Sequence, residues 1–169
     1  MLSKKIENIL NEQIEKEGYS SNLYLAMATW AETNGYAGIS EWLYTQAEEE
    51  KMHMLKIIHY LSERGGHAIV PAFKAPPKDQ KGIKIMFEEI LKHEQFISES
   101  INKIVAATIA ENDYTTQSWV QWFVTEQIEE EAQVMEILDK LNLLGENNLY
   151  LFDRDIMSLR GTGGSPEAQ

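Results

Sequence analysis

Four long stretches of helical periodicity, separated by clear breaks, constrain most strongly what this chain can fold into. In each stretch apolar residues recur every three or four positions, which is typical of an amphipathic helix with one buried face. Ser3 is placed to cap the first helix, and Thr115 or Thr116 to cap the fourth. The predicted helices span about residues 3–34, 39–65, 83–111 and 115–144.

The breaks between these helices predict the topology. Tight turns near residues 34–38 and 112–114 make antiparallel neighbours of the first and second helices, and of the third and fourth. Each helix of about 28 residues would be about 42 Å long. The proline-containing link at 67–82 is long enough to run along part of this length as a crossover. We therefore expect an all-α four-helix bundle rather than a helical repeat, which needs three or more repeats.

The C-terminal part predicts one further short element. An apolar segment at about 148–159 indicates a fifth small helix. The chain then ends in GTGGSPEAQ, a composition that predicts a flexible tail over 160–169. With 169 residues the chain fits a single domain. We place that domain at residues 1–159, with the bundle itself at about 3–144.

The acidic composition narrows the classes of function. Lys and Arg number 15 against 27 Asp and Glu, and the net charge of −12 disfavours binding to nucleic acid or to anionic lipid. The absence of Cys excludes disulfides, Cys-type zinc sites and thiol catalysis. The sequence begins without the apolar core of a secretory signal and has no apolar run of roughly 20 residues. We expect a soluble cytoplasmic protein without nucleic-acid or membrane partners.

The two predicted hairpins resemble each other in sequence. A shift of 77 residues aligns the turn at Gly35 with Asn112 and the helix position Glu17 with Glu94. It also aligns Trp42 with Trp119. The hairpins therefore look like related halves about a pseudo-two-fold axis, and a site on that axis should take ligands from both.

Each of the four apolar faces carries polar residues near its middle. At 100° per residue, a Glu lies inside the apolar stripe of every helix. A histidine one turn further along the second helix and a glutamine on the fourth complete the set. These interruptions are Glu17, Glu50, His53, Glu94, Gln127 and Glu130.

Charge and spacing together predict a metal centre. One buried carboxylate costs several kcal/mol or takes up a proton, and several together also repel one another. A single Glu on an apolar stripe is usually a residue that reaches solvent or a subunit contact, but four at one level favour a shared cation. Glu17 and Glu50 are 33 residues apart, as are Glu94 and Gln127, so both pairs should lie at the same height. Oxygen-rich ligands with one imidazole favour Fe(II) or Mn(II) over zinc or calcium.

These motifs resemble those of the ferritins, and specifically of the bacterial non-haem ferritins. The resemblance covers nearly the whole chain, through NEQIEKEGYSSNLY, AEEEKMHM, KHEQ and TEQIEEE. It implies a ferritin-like four-helix bundle with a long crossover between helices two and three and a short fifth helix. It also implies a di-iron centre, in which Glu17, Glu50 and His53 hold one iron. Glu50, Glu94 and Glu130 would hold the second, with Glu50 as the bridge.

The resemblance implies further residues around this centre. Gln127 would lie beside the iron pair as a further candidate ligand, facing bound oxygen. Tyr24 would form a hydrogen bond near the centre and is a candidate electron donor. A third, outer iron site would be formed with help from Glu130 by Glu49, Glu126 and Glu129.

The implied activity is that of a ferroxidase and iron store. Fe(II) would be oxidised to Fe(III) by O2 or H2O2, and ferric mineral would grow inside a shell of 24 subunits with octahedral symmetry. No haem is expected, because Lys51 occupies the position where bacterioferritins have their haem-ligating Met, and Met52 lies about 100° away around the helix. The fourth helix likewise lacks the Glu-x-x-His of bacterioferritins.

Two other classes of function remain open. One is a di-iron peroxidase or oxidase of the rubrerythrin kind, which would consume H2O2 stoichiometrically and form a small oligomer. The other is a non-catalytic helical interaction module with its core Glu residues buried at assembly contacts. Equilibrium dialysis with Fe(II) distinguishes the module, which should bind no stoichiometric metal.

Overall fold

The chain folds into four long helices and one short one. The structure, a computed structural model, describes residues 2–145 and 148–160. Within these residues there is no strand, which confirms the predicted all-α class. One turn of 3-10 helix, Ile156–Leu159, follows the last α-helix. The α-helices are α1 (Lys4–Thr33), α2 (Ala37–Glu63), α3 (Ile83–Ala110), α4 (Tyr114–Leu144) and α5 (Leu149–Asp155).

The connection between α2 and α3 is the predicted crossover. α1 packs along α2, α3 packs along α4, and α1 also contacts α3. At the start of the crossover, the Asn11 side chain donates to the carbonyl of His67 at 3.0 Å and accepts from the amide of Ile69 at 2.7 Å. Further along, Phe73 packs so closely on Gly18 that a Cβ there would lie 2.4 Å from the ring. The crossover thus follows α1 along the bundle.

The helix caps confirm one prediction and correct another. Ser3 caps α1, with its hydroxyl accepting from the amide of Ile6 at 3.3 Å. The prediction that Thr115 or Thr116 caps α4 is wrong, because Asp113 is the cap and accepts from the amide of Thr116 at 3.0 Å. The hairpin turn ends immediately before Asp113, so this carboxylate is the first side chain that can reach a free amide of the new helix.

The apolar core divides into two clusters, one towards each end of the bundle. On α1 the clusters take residues 23–31 and 6–14, and on α3 they take residues 83–90 and 97–104. Glu17 and Glu94 lie in the gaps between these ranges. α2 and α4 repeat the pattern around Glu50 and Glu130. A polar layer therefore crosses the middle of the bundle between two apolar halves.

The short α5 closes the end of the bundle where α2 begins. A Cβ on Gly38 would lie 1.8 Å from the Asp153 carbonyl oxygen, so only glycine permits this approach. The Asp153 carboxylate accepts from the amide of Ile39 at 2.9 Å, and Phe152 packs edge-on against Phe87. None of the described helices is long and apolar enough to cross a membrane. Of the tail predicted over 160–169, residues 161–169 lie outside the described residues.

Candidate metal centre

The predicted ligands meet inside the polar layer and are buried. Glu17, Glu50 and Glu94 expose at most 1% of their surface, while His53 exposes 5% and Glu130 8%. Each lies on the inward face of its helix, where the sequence pattern places an apolar residue one turn before or after it. Four helices thus deliver four carboxylates and one imidazole to one interior layer.

The ligand atoms form two trios that share one carboxylate. Glu17, Glu50 and His53 each offer one ligand atom within 4.8 Å of the others, and Glu50, Glu94 and Glu130 do the same. The Nδ1 atom of His53 lies 3.7 Å from a Glu50 oxygen and 3.9 Å from a Glu130 oxygen. This arrangement can hold two cations, one on each side of Glu50.

Burial disfavours the ionised form of three of these carboxylates, Glu50, Glu94 and Glu130. Burial, followed by repulsion from Glu94 and Glu17, raises the pKa of Glu50 well above its ordinary value. Burial and repulsion from Glu50 and Glu94 raise the pKa of Glu130 in the same way. Burial also raises the pKa of Glu94, although hydrogen bonds oppose the shift. A multivalent cation between the groups would offset both the burial cost and the repulsion.

The free oxygen atoms fit a metal. Four buried carboxylate oxygens have no hydrogen-bond partner: Glu17 Oε2, both oxygens of Glu50, and Glu130 Oε2. Buried polar atoms are otherwise almost always paired, since an unpaired one costs about 1–3 kcal/mol. Oxygen donors with one imidazole suit Fe(II) or Mn(II).

Glu94 is held in place from two sides. The Tyr24 hydroxyl donates to Glu94 Oε1 at 2.5 Å, and the Gln127 amide donates to Glu94 Oε2 at 3.2 Å. The same amide group also donates to the Glu94 backbone carbonyl. Burial and the neighbouring Glu94 charge raise the pKa of Tyr24 well above its ordinary value, so the hydroxyl keeps its proton. The structure thus brings both residues to the cluster, where they contact it through Glu94.

Glu17 is held by a chain of hydrogen bonds that sequence reasoning missed. Gln13 donates to Glu17 Oε1 at 2.9 Å. The Ser100 hydroxyl donates to the Gln13 carbonyl at 2.6 Å, and Lys16 donates to Ser100 at 2.8 Å. The available signal was a glutamine one helical turn before Glu17 on the same apolar face. This chain fixes Glu17 Oε1, while Oε2 stays buried without a hydrogen-bond partner.

Aromatic rings and a second histidine surround the centre. The His53 ring makes edge contacts with Trp122 and Phe123, at 5.4 and 5.9 Å between centroids. These contacts restrict the orientation of the imidazole. His93 shares a hydrogen bond of 2.7 Å with Ser20, and burial lowers its pKa to about 4. His93 is therefore a neutral packing residue.

The three residues predicted to form the outer iron site do not form a trio like those of the inner centre. Within residues 2–145 and 148–160, the two trios are the only groups of three carboxylate or imidazole ligand atoms within 4.8 Å of one another. Glu49 and Glu126 are half-buried and Glu129 is exposed. Arg160 donates to Glu49 at 2.5 Å, a contact across 111 residues that no sequence pattern indicated. The outer iron site therefore stays a prediction.

Fold and site together define a four-helix bundle with a carboxylate-rich candidate metal centre inside it. Comparison with known proteins gives the family. The ferritin-like domain family matches residues 7–144. The chain is 42% identical over 161 residues to a probable bacterial non-heme ferritin-like protein of Haemophilus influenzae, covering 94% of this chain and 98% of that protein.

Two further comparisons agree. A bacterial non-heme ferritin of Campylobacter jejuni is 43% identical over 161 residues, covering 94% of this chain and 96% of that protein. The crystal structure of an open pore ferritin from Archaeoglobus fulgidus matches with a TM-score of 0.91 at 38% identity, covering 95% of this chain and 98% of that one. The chain belongs to the ferritin family.

Proposed function

We propose that this protein binds two Fe(II) ions between its four helices, oxidises them and stores the ferric product. The observation that carries this proposal is the pair of buried trios that share Glu50. The unpaired oxygens of Glu17, Glu50 and Glu130 support it, because they are the atoms that two cations would neutralise. The proposal also rests on family membership, since the relatives compared above are named ferritins.

Each side of the centre has its own ligands. Glu17, Glu50 and His53 hold the first iron, and Glu50, Glu94 and Glu130 hold the second. Glu50 is the bridge, since it belongs to both trios. Tyr24 and Gln127 position Glu94 through their hydrogen bonds, and Gln13 positions Glu17. Fixed carboxylates favour Fe(III) over Fe(II), because the higher charge gains more from negative ligands.

The reaction is a two-electron oxidation. Each Fe(II) loses one electron, and these two electrons with two protons reduce O2 to H2O2. With H2O2 as the oxidant, the same two electrons and two protons give two molecules of water. The protein holds the two ions close together, so that one oxidant molecule can receive both electrons.

Storage needs an enclosed space for the mineral and a route by which Fe(III) leaves the metal centre for that space. We propose that 24 chains assemble into an octahedral shell in the cytoplasm and that Fe(III) leaves the centre for a mineral inside it. Glu49, Glu126 and Glu129 form an outer site beside the centre, and Glu130 belongs to both. Analytical ultracentrifugation tests the assembly, since 24 chains of 19.4 kDa sediment far from a dimer. A stable dimer would contradict the shell.

The direct test is stopped-flow oxidation at two Fe(II) per chain. We expect rapid oxidation by the wild type and a large loss in Glu94→Ala, which removes a ligand of the second iron. Glu99→Ala is the matched control, because this exposed residue lies on the same helix. Equal rates in wild type and Glu94→Ala would refute the proposed centre.

Two further measurements test the outer site and the alternative of a helical interaction module. Glu129→Ala should keep the first fast phase and change later turnover, and a collapse of the first phase would mean that the outer site acts earlier. Anaerobic equilibrium dialysis with Fe(II) should give at least two bound ions per chain. An absence of bound iron would instead favour the helical interaction module.

A further inference from the structure

The last described residue of the chain returns to the bundle beside the metal centre. The Arg160 guanidinium donates from Nη2 to Glu49 Oε1 at 2.5 Å and from Nη1 to the Trp42 carbonyl at 3.4 Å. The Arg160 side chain is only 16% exposed and that of Glu49 27%. A charge-assisted hydrogen bond in such a half-buried position is screened much less than a surface ion pair.

Glu49 belongs to a group of charges next to the centre. Burial, with repulsion from Glu129 and Glu49, raises the pKa of Glu126, so Glu126 lies near both of these carboxylates. His53 and Lys56 act on Glu126 in the opposite direction. Lys56 itself lies over the Trp122 ring, 4.2 Å from its centroid. Within residues 2–145 and 148–160, Arg160 is the one Lys or Arg that forms an ion pair with Glu49, Glu126 or Glu129.

We propose that Arg160 competes with iron at the outer site and thereby sets the affinity of that site. The inference rests on the proposed function and concerns only the third ion. To use the bonded oxygen of Glu49, an Fe(II) ion must displace a guanidinium that already neutralises it. Within the described residues, no Lys or Arg forms an ion pair with a carboxylate of the two inner trios, so binding there needs no such displacement. The order of filling follows, with the inner pair first and the outer ion last.

Linkage gives the proposal a second consequence. If Arg160 opposes the third ion, the third ion must oppose the Arg160 contact by the same factor. Filling the outer site should therefore loosen the segment from α5 to Arg160, which this contact fastens to α2. Arg160 is a positioning and competing residue in this scheme, since it touches a ligand and not the reacting atoms.

The experiment is anaerobic calorimetric titration of the assembled protein with Fe(II). Arg160→Gln should tighten the third ion on the order of tenfold, the scale of one hydrogen bond to a charged group, and leave the first two unchanged. Arg154→Gln is the matched control, because Arg154 lies in the same terminal segment and forms an exposed ion pair with Asp155. It should leave all three affinities unchanged.

A double-mutant cycle excludes a general effect of the substitution. In a Glu49→Gln background, Arg160→Gln should no longer change the third affinity, because the competing pair is already gone. Hydrogen exchange of the peptide over 149–160 should accelerate when a third Fe(II) equivalent is added to the wild type. If Arg160→Gln loosens the terminal segment on its own, Arg160→Lys keeps the charge and should give an intermediate third affinity.

The possible failures are distinct. An unchanged or weaker third ion in Arg160→Gln, or no third ion in either protein, overturns the role of Arg160 while the inner pair stands. A persistent effect of Arg160→Gln in the Glu49→Gln background also overturns it. Loss of the first two ions from the wild type would instead overturn the proposed function.

Discussion

The two helical hairpins of this protein share a backbone plan but differ in two of three aligned pairs of site residues. The 77-residue shift pairs Glu17 with Glu94, which are alike. It also pairs Glu50 with Gln127, and His53 with Glu130 on α4. Equal spacing therefore places the site residues of both hairpins in the same layer of the bundle. The residue types then decide the role of each hairpin in the centre.

The main difference is the amide that replaces the bridging carboxylate. Glu50 belongs to both trios, whereas Gln127 donates to Glu94 and holds it in position. A fifth carboxylate at this place would add repulsion to a group that already resists ionisation. A nearly symmetric scaffold thus produces an asymmetric centre, and exchanging Glu50 and Gln127 tests how much this pair contributes.

Glu50→Gln should have the largest effect on oxidation, since it removes the bridging carboxylate. The two hairpins then both carry a glutamine at this position. We expect the fast oxidation phase to fall by at least about 100-fold, more than the loss of a supporting residue normally causes. Stopped-flow absorbance at two Fe(II) per chain measures this. Glu48→Gln, an exposed neighbour, is the control. A bridge that can be removed without loss would contradict the sharing of Glu50.

The same variant predicts a change in the pH dependence of the metal-free protein. The folded-state pKa of Glu50 lies well above its ordinary value of 4.5, because of burial and then repulsion. The folded protein therefore keeps a proton that the unfolded chain releases, and its stability falls as pH rises above that value. Glu50→Gln should flatten this fall and stabilise the apoprotein at neutral pH. Urea denaturation of chelator-treated protein across this range is the measurement.

Gln127→Glu makes the two hairpins alike in the opposite way, because both then carry a glutamate at this position. It adds a carboxylate and removes the amide that donates to Glu94, so we expect the metal-free protein to lose about 1–3 kcal/mol of unfolding free energy. Added divalent metal should restore much of the loss. Gln121→Glu, an exposed position on the same helix, should leave stability nearly unchanged. Equal stability of the two variants would mean that the amide carries no role at Glu94.

The hairpin turns differ in their caps. Tyr36 and Asp113 have nearly the same backbone angles, but only Asp113 caps its helix with a side chain. Burial opposes ionisation of Asp113, yet hydrogen bonds from Thr116 and the charge of Arg64 lower its pKa overall. Asp113→Ala should cost about 1 kcal/mol at neutral pH. The cost should shrink as pH falls below the ordinary value of 3.8, through the lower folded-state pKa, because the carboxylate then becomes neutral.

The comparison for this prediction is Tyr36→Ala. It removes no cap, although it does remove a stacked contact with Trp30. Its cost should therefore not depend on pH in this acidic range. Thermal unfolding of both variants at neutral and acidic pH provides the data, and a pH-independent cost for Asp113→Ala would show that its charge is not involved.

The sequence predicted the parts of this fold that follow from local periodicity. The four helices, the crossover and the polar layer all follow from apolar spacing and breaks, because a buried face must repeat every turn. The prediction for the cap of α4 is wrong, since the exact residue at which the turn ends depends on the left-handed conformation of Asn112. Arg160 could not be predicted at all, because its partner on α2 is reached only after the whole bundle has folded.

The smallest expected effect concerns the turn position that the two hairpins share. Gly35 and Asn112 both adopt positive φ, at 84° and 53°. A Cβ on Gly35 would contact nothing within 4 Å, so only the backbone conformation limits the residue there. Asn tolerates this conformation better than other side chains, so Gly35→Asn should change stability by less than about 0.5 kcal/mol.

A β-branched residue at the same position provides the contrast. Gly35→Val should cost about 1–2 kcal/mol more than Gly35→Asn, because its side chain is strained at positive φ. Urea denaturation of the two variants compares them directly. A large loss in Gly35→Asn would show that the two turns are not equivalent. A small loss would mean that the first turn accepts the residue found in the second.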